Sequence, residues 1–549
     1  MCIHYLVHRK TTLLKKYINP LLVIISIAIM IVLRLYALNS DAYPRLSWSS
    51  ALLTDEGFYL HNARNVVLYG HARTDGFNNM MIMPFLHYLQ VVWFQMFGVG
   101  AYQARILSVL FSLLSLPIFY AAMNRAFGKE AAGWGALLLG LDHIYLLYNR
   151  LALMDTPGAA ILIIGWYFWV LGLEVENSEG NGAKWWLLSG LFFGLVYGVR
   201  GLGALVWLAP IALMIWKRRF RGLSWFIAGL GGVLLFYIIW WWIPNRIELA
   251  HMNEYYIRSQ LLPHSLKQFW HNETEACWNW ERGLLPYLFK HSPVQLIPAG
   301  AIIVLLIRAM LLKYEKKQIY LNSIQFENRV FLSIWMIIFC LFFAFVNYSP
   351  SRYYVLFYPA MSGLAGDAWA CWSKKERYGK WAITILFSSW LIINSYWLID
   401  WISHLTYYQR DADQWLGRHL PSNAVVFGAV APGLCMDNHL LPINVIADLC
   451  NDHHPLEKFA SRPRYIVMLD AYGNDKRWRE RWWLLHYPQL IIPERRIHLF
   501  HPILRPFFAV GVYSVPKEFG LNSGKQSSFV LFSRVYAGTG NHTHTHHHR

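Results

Sequence analysis

The chain has 549 residues, of which 56% are hydrophobic and 17% aromatic, with 49 Lys+Arg against 31 Asp+Glu and a formal net charge of +18. A mean hydropathy of +0.29 is too apolar for a soluble enzyme, and several runs approach the roughly 20 apolar residues that cross a bilayer. The basic excess does not point to nucleic acid, because Lys and Arg cluster at the ends of apolar runs, where positive-inside topology and anionic headgroups account for them. Six scattered cysteines form no disulfide framework, and neither a zinc-type spacing nor a Walker-type glycine loop occurs.

Residues 1–19, with Arg9, Lys10, Lys15 and Lys16, precede an apolar run over 20–38. No small-residue cleavage site follows, so this run is predicted to be a first membrane span with a cytoplasmic N-terminus. Residues 39–103 then form a first outer loop. Within it, 84–97 is apolar but short and carries His87, Gln90 and Gln95; it is predicted to lie in the interface. Further spans are expected near 105–123, 131–148, 157–173, 185–200, 203–216, 223–243, 293–312, 329–346, 354–372 and 380–400. This arrangement puts Arg125/Lys129, Lys217–Arg221, Lys313–Lys317 and Lys374–Arg377 on one cytoplasmic side, as the positive-inside rule requires. A span at 84–97 would reverse every later one. The expectation is therefore a mostly α, polytopic membrane domain over 20–401 with about eleven transmembrane helices, a long outer loop at 244–292, and placement in the inner or plasma membrane.

From residue 402 the character changes. Asp411 to Leu420 has the pattern of an amphipathic helix, and 424–428, 465–469 and 508–513 read as buried strands. A small extracytoplasmic α/β domain over 402–516 is predicted, followed by a flexible His-rich tail at 517–549. Cys435 and Cys450 both fall in this domain, and the sequence leaves their pairing open.

The outer side of this topology collects an unusual set of charges. Asp55 and Glu56 stand in the first outer loop, where Thr54 could equally cap a helix with both acids in its first turn. Asp155 precedes Thr156-Pro157 at the start of a span, again a sound helix-start pattern in its own right. Arg200 and Arg352 lie at outer span ends, against the positive-inside trend, where snorkelling to headgroups is the competing explanation. Arg258, His264, Lys267 and His271 lie in the long outer loop, where a solvated face is the simpler reading. Together the set offers arginines that hold a phosphate and carboxylates that accept a proton, the pair of functions that transfer from a lipid phosphate requires.

In order and placement, Asp55-Glu56, Pro84–Gly98 with Arg105, Arg150…Asp155-Thr156-Pro157, and Ser351-Arg352-Tyr353 before Pro359 resemble the GT-C glycosyltransferases. The resemblance is to the branch of protein O-mannosyltransferases and the bacterial aminoarabinose–lipid A transferase, and it covers about residues 20–400. It implies a polyprenyl- or dolichyl-phosphate sugar donor and an inverting single displacement onto a protein, lipid or glycan acceptor. It further implies Asp55 as the catalytic base, Glu56 as a positioning acid and Asp155 as a second acid at the cleft. Arg352 and Arg200 would bind the donor phosphate, with Arg258 and Lys267 as further candidates. Tyr59, Arg105, Arg150, His264 and Tyr353 are candidate substrate contacts. Related segments often carry Lys where Arg200 stands, which changes a point contact into a fork. The scheme requires no cofactor, and the outer His and acidic residues leave a divalent metal open.

Two other classes compete. A transporter or flippase for lipid-linked glycans would place charges near the bilayer midplane and show an internal repeat; here the charges sit at outer ends and no repeat is evident. A non-catalytic glycan-binding membrane protein would have no need of Asp55, Glu56 and Asp155.

Overall fold

The structure is a computed structural model that describes residues 23–43, 46, 52–178, 180–256, 284–311, 323–346, 350–374, 377–446, 450–451, 456, 459, 461–470, 495–499 and 508–515. Arg258, His264, Lys267 and His271, the N-terminal segment and the His-rich tail lie outside the described residues.

Helices occupy each interval expected to cross the membrane. The first is α1 (Val23–Leu35). In the outer loop follow α2 (Gly57–Tyr69) and α3 (Pro84–Phe97), then α4 (Ala101–Phe127), α5 (Lys129–Gly140), α6 (His143–Asn149), α7 (Asp155–Asn177) and α8 (Ala183–Tyr197). Next come α9 (Leu208–Trp216), α10 (Phe220–Tyr237) and α11 (Arg246–Tyr256), and later helices at Pro293–Leu311, Ile324–Phe345, Tyr358–Ser373 and Arg377–Ser403. Among the described residues, five helices are long and apolar enough to cross a bilayer, and four shorter apolar ones, α1 among them, lie in other expected intervals. Their outward faces carry large apolar side chains such as Leu114, Val304 and Ile392. Exposure on that scale is foreign to a soluble surface and natural beside lipid.

Local sequence explains the breaks. Asp142 accepts a 3.0 Å hydrogen bond from the Tyr145 backbone N–H and starts α6, so the expected span over 131–148 is a two-piece helix. α3 spans 14 residues and buries Leu86, His87, Gln90, Val91 and Phe94 on one face, while Tyr88, Leu89, Val92 and Met96 are exposed on the other. That two-faced pattern suits an interfacial helix.

The core between the helices is dominated by Trp166, Trp169, Trp186, Trp335 and Trp369, all fully buried. At one end of the bundle, loops predicted to be cytoplasmic meet through ion pairs. Arg125 lies 2.5 Å from Glu174, and Arg219 2.6 Å from Glu327 and 3.5 Å from Glu176. Basic loops brought to one end are what a single-sided charge distribution demands.

The α/β part begins with helix Tyr408–His419, close to the span read from its pattern. Its five-stranded sheet has the order β2-β1-β3-β5-β4. The strands are β1 (Val425–Phe427), β2 (Leu441–Ile443), β3 (Arg464–Asp470), β4 (Arg495–Leu499) and β5 (Phe508–Val515). β1 pairs in parallel with β2 and β3, placing Val425 beside Leu441 and Arg464, whereas β5 runs antiparallel to both β3 and β4. Strands β2 and β4 were not among those expected. β2 is three residues long with Pro442 at its centre, and β4 carries two arginines and a histidine, so neither shows an apolar strand signature. Cys435 and Cys450 are both buried, and the Cys450 thiol donates to the Asn444 carbonyl at 3.7 Å.

This domain is seated on the first outer loop. Arg64 of α2 donates to the carbonyls of Asn438 (2.7 Å) and Leu440 (2.9 Å), and Tyr69 donates to the Leu440 carbonyl at 2.7 Å. Asp75 accepts from the Asn444 N–H at 3.0 Å. In return, Asp437 accepts a 2.7 Å hydrogen bond from the Ala101 N–H, capping the first turn of α4.

Candidate active site

The acidic pair sits at a break in the chain. A widened helical turn over Leu52–Glu56 contains Thr54 at φ −127°, ψ −109°, and α2 starts only at Gly57. The N-cap of α2 is Glu56, without a side-chain capping bond, so Thr54 does not start the helix in the way its sequence suggests. The far end follows expectation: Gly70 closes α2 with φ +82°, a conformation glycine adopts without a Cβ clash.

Asp55 and Glu56 point to different partners. Glu56 is fully buried and forms a two-pronged ion pair with Arg105, with Nε–Oε1 and Nη2–Oε2 both at 2.7 Å. Glu56 Oε1 also accepts from the Ala152 N–H at 2.8 Å, and Arg105 Nη1 donates to the carbonyls of Leu38 and Ser40. This clamp ties the end of the first span, the acidic loop, α4 and the turn before Asp155 together. Arg105 is thereby occupied by protein groups. Arg150 is too, since its guanidinium donates to the carbonyls of Leu33, Arg34 and Ala37 and lies 4.3 Å from the centroid of the Trp401 ring. Both had been candidates for substrate contact; their donors instead hold the ends of neighbouring helices.

Asp55 joins a different assembly. Its Oδ2 lies 2.7 Å from Arg352 Nη1. Arg352 Nε lies 4.0 Å from Asp155 Oδ2, and Asp155 Oδ1 lies 2.7 Å from Arg200 Nε. Asp155 is the first residue of α7 rather than its cap, and its carboxylate is directed to Arg200. The result is an alternating series, Asp55–Arg352–Asp155–Arg200, with formal charges that cancel. Side-chain exposure is 14% for Asp55 but 3% for Arg352 and 1% for Asp155, so Asp55 is the carboxylate open to an incoming group.

The sequence builds this series from four distant segments. Arg352 lies in a tight turn, Ser351–Leu356, held where Ser351 Oγ donates to the Leu46 carbonyl and lies 2.6 Å from the Tyr148 hydroxyl. Arg200 follows α8 in extended conformation, φ −149° and ψ 93°. It reaches Asp155 because residue 158 is glycine: a Cβ there would stand 2.9 Å from the Arg200 Cβ. Tyr353 lies against both cations, its ring centroid 4.3 Å from the Arg200 guanidinium carbon and 5.0 Å from that of Arg352. Tyr59 is buried close by. Burial first, and then the Asp55 charge, hold its phenol well above the usual range, so it remains protonated.

Arg200 and Tyr353 also form the polar end of a cavity of about 440 Å³ whose other walls are Gly201, Leu202, Ala204, Leu205, Leu208 and Phe342. An apolar trough ending in a guanidinium is chemically matched to an amphiphile with an anionic head. Among the described residues, no group of three or more His, Cys, Asp or Glu is placed to hold a metal ion.

Comparison with known proteins agrees with this picture. Residues 83–242 match the family model described as dolichyl-phosphate-mannose-protein mannosyltransferase. Among solved structures, the chain is similar to ArnT from Cupriavidus metallidurans in the apo state, with TM-score 0.56 and 16% identity over 90% of this chain and 98% of that one. The same protein bound to undecaprenyl phosphate gives TM-score 0.56 and 16% identity, covering 92% and 99%. The archaeal oligosaccharyltransferase AglB from Archaeoglobus fulgidus, in complex with an inhibitory peptide and a dolichol-phosphate, gives TM-score 0.53 and 15% identity, covering 83% and 69%. No curated protein matches the chain. The fold is that of the GT-C glycosyltransferases. With the family-model match, these neighbours indicate a membrane glycosyltransferase.

Proposed function

We propose that the chain transfers a sugar from a polyprenyl- or dolichyl-phosphate monosaccharide to a protein, lipid or glycan acceptor on the extracytoplasmic side of the cell's inner or plasma membrane. The observation that carries this reading is the alternating Asp55–Arg352–Asp155–Arg200 series at the head of an apolar cavity. Structural neighbours solved with undecaprenyl phosphate and with dolichol-phosphate support a donor of that chemical class.

The lipid tail lies along Leu202, Leu205, Leu208 and Phe342, and the donor phosphate meets Arg200 and Arg352. Each arginine faces a carboxylate in this structure, so phosphate binding competes for a cation that is already positioned. As Arg352 turns to the phosphate, Asp55 gains a free oxygen. An acceptor O–H or N–H then attacks the anomeric carbon from the face opposite the phosphate. The carbon–oxygen bond to phosphate breaks with inversion, the acceptor proton passes to Asp55, and the arginines stabilise the charge gathering on the departing lipid phosphate. Asp155 keeps the two guanidinium groups apart and oriented, and the Glu56–Arg105 clamp fixes the loop that carries Asp55. Arg258, Lys267 and His264 are retained as candidate substrate contacts from the long outer loop.

The decisive experiment is a panel of purified polyprenyl-phosphate sugars incubated with the purified protein and candidate acceptors, with products detected by mass. Transfer from at least one donor, lost in Asp55→Asn, is expected. Full turnover in Asp55→Asn would remove Asp55 as the base.

A further inference from the structure

A second cavity, of about 520 Å³, lies where the C-terminal end of α2, α3 and the widened turn Ile238–Trp242 after α10 meet. At 1.5 Å per residue, the length of α2 separates it from Asp55 by about 20 Å. Its lining is aromatic and polar, including Arg73, His87, Tyr88, Trp240, Trp241 and Asn245.

The rings cluster at tilted angles to one another. Tyr88 and Trp240 have centroids 5.0 Å apart, and Trp240 and Trp241 5.4 Å apart. Trp241 is anchored by donating its indole N–H to the Met81 carbonyl at 3.1 Å. Tyr88 and Trp240 are 46% and 37% exposed, so a ligand can reach them. The one cation in this lining is already matched: Arg73 donates to Asn245 Oδ1 at 2.6 Å and lies 3.1 Å from Glu248. His87 is 2% exposed, and among the described residues its Nδ1 has no hydrogen-bond partner. Burial pushes the imidazole down to about 4, so the ring is neutral at pH 7 and offers one donor and one acceptor.

We infer that this cavity binds a neutral saccharide, the non-reacting part of a glycan acceptor, by stacking it on Tyr88 and Trp240 and hydrogen-bonding a sugar hydroxyl to His87. A polyol joins apolar C–H faces to many hydroxyls and carries no charge, which matches ring faces, an unsatisfied neutral imidazole and a neutralised arginine. A phosphate headgroup would have to compete with Glu248 for Arg73, the one Arg or Lys in this lining, whereas a neutral polyol leaves that pair intact; an acyl chain would leave His87 unsatisfied. The acceptor role rests on the transferase reading above; the binding itself does not.

The test titrates purified full-length protein in detergent with mannotriose, cellotriose, maltotriose and chitotriose, read by tryptophan fluorescence. At least one trisaccharide is expected to bind, and Trp240→Ala to weaken it tenfold or more. Tyr88→Ala is the second variant should Trp240→Ala fold poorly, and His87→Phe separates the hydrogen bond from the ring contacts. Binding should persist in Arg352→Ala. No binding to the wild type by any of the four, binding unchanged in both aromatic variants, or binding lost in Arg352→Ala overturns the inference. Displacement of the sugar by added phosphatidylglycerol, with loss of lipid binding in Trp240→Ala, reassigns the cavity to a lipid headgroup and overturns it equally. Trisaccharide binding without transfer from any lipid-phosphate sugar would reject the transferase mechanism and leave this site standing.

Discussion

Arg352 lies between two carboxylates, 2.7 Å from Asp55 and 4.0 Å from Asp155, so one guanidinium links the partly buried acid of the Leu52–Glu56 turn to the fully buried acid that begins α7. Asp55→Asn removes the proton acceptor while Arg352 keeps Asp155. Transfer should fall by about 10²- to 10⁴-fold, the usual worth of a general base, with a thermal midpoint close to wild type. Initial rates and a fluorescence melt on the same preparation check both halves.

Arg352→Lys and Arg200→Lys keep the charge but lose the fork. Their effect should appear as a raised KM for the lipid donor, with the acceptor KM little changed. Gly158→Val attacks the same geometry from behind, because its new side chain meets Arg200 Cβ. The same donor-side defect is expected without any charge having been altered.

Glu56→Gln leaves Arg105 buried without its counter-charge. A stability loss of about 3–5 kcal/mol follows from breaking one side of a buried pair, well beyond the change in Asp55→Asn. Denaturation of the two variants in parallel separates a positioning acid from a reacting one. Equal stability of the two would show that the clamp does not hold the loop.

Asp413 gives the outer domain a pH dependence. Its carboxylate accepts from the Asp437 N–H and the Asn438 amide, yet burial, with the Asp437 charge beside it, raises it well above the usual carboxylate range. The native state therefore holds this proton more tightly than the unfolded chain does. The stabilisation is full at low pH and declines as pH rises from the unfolded value of about 3.9 through the raised native one. Melts followed by tryptophan fluorescence should shift upward between about pH 8 and pH 5, with a smaller shift in Asp413→Asn.

Much of the membrane domain is legible in the sequence because apolar length and charge asymmetry are strong, additive signals. The same charge asymmetry brings Asp55, Asp155, Arg200 and Arg352 to one face. It does not reveal which carboxylate meets which cation. Glu56 and Arg105 are 49 positions apart, and their two-pronged pairing depends on how α4 packs against the acidic loop. Adjacent acids also look alike in sequence, although Glu56 is fully buried and Asp55 only partly so. His87 shows the opposite limit: in the sequence it reads only as a polar interruption of an apolar segment, and its cavity exists because α10 arrives beside it.

The cap that Asp437 places on α4 crosses 336 positions of sequence. During synthesis α4 is made long before residue 437 emerges. Its first turn, and the neighbouring contacts of Arg64 and Asp75, therefore wait for the last domain to arrive. A nascent chain arrested before residue 437 would hold most of its spans, yet its acidic loop would lack the surface that finally fixes it. The order of synthesis thus delays the fixing of the acidic loop until residue 437 and its neighbours have been made.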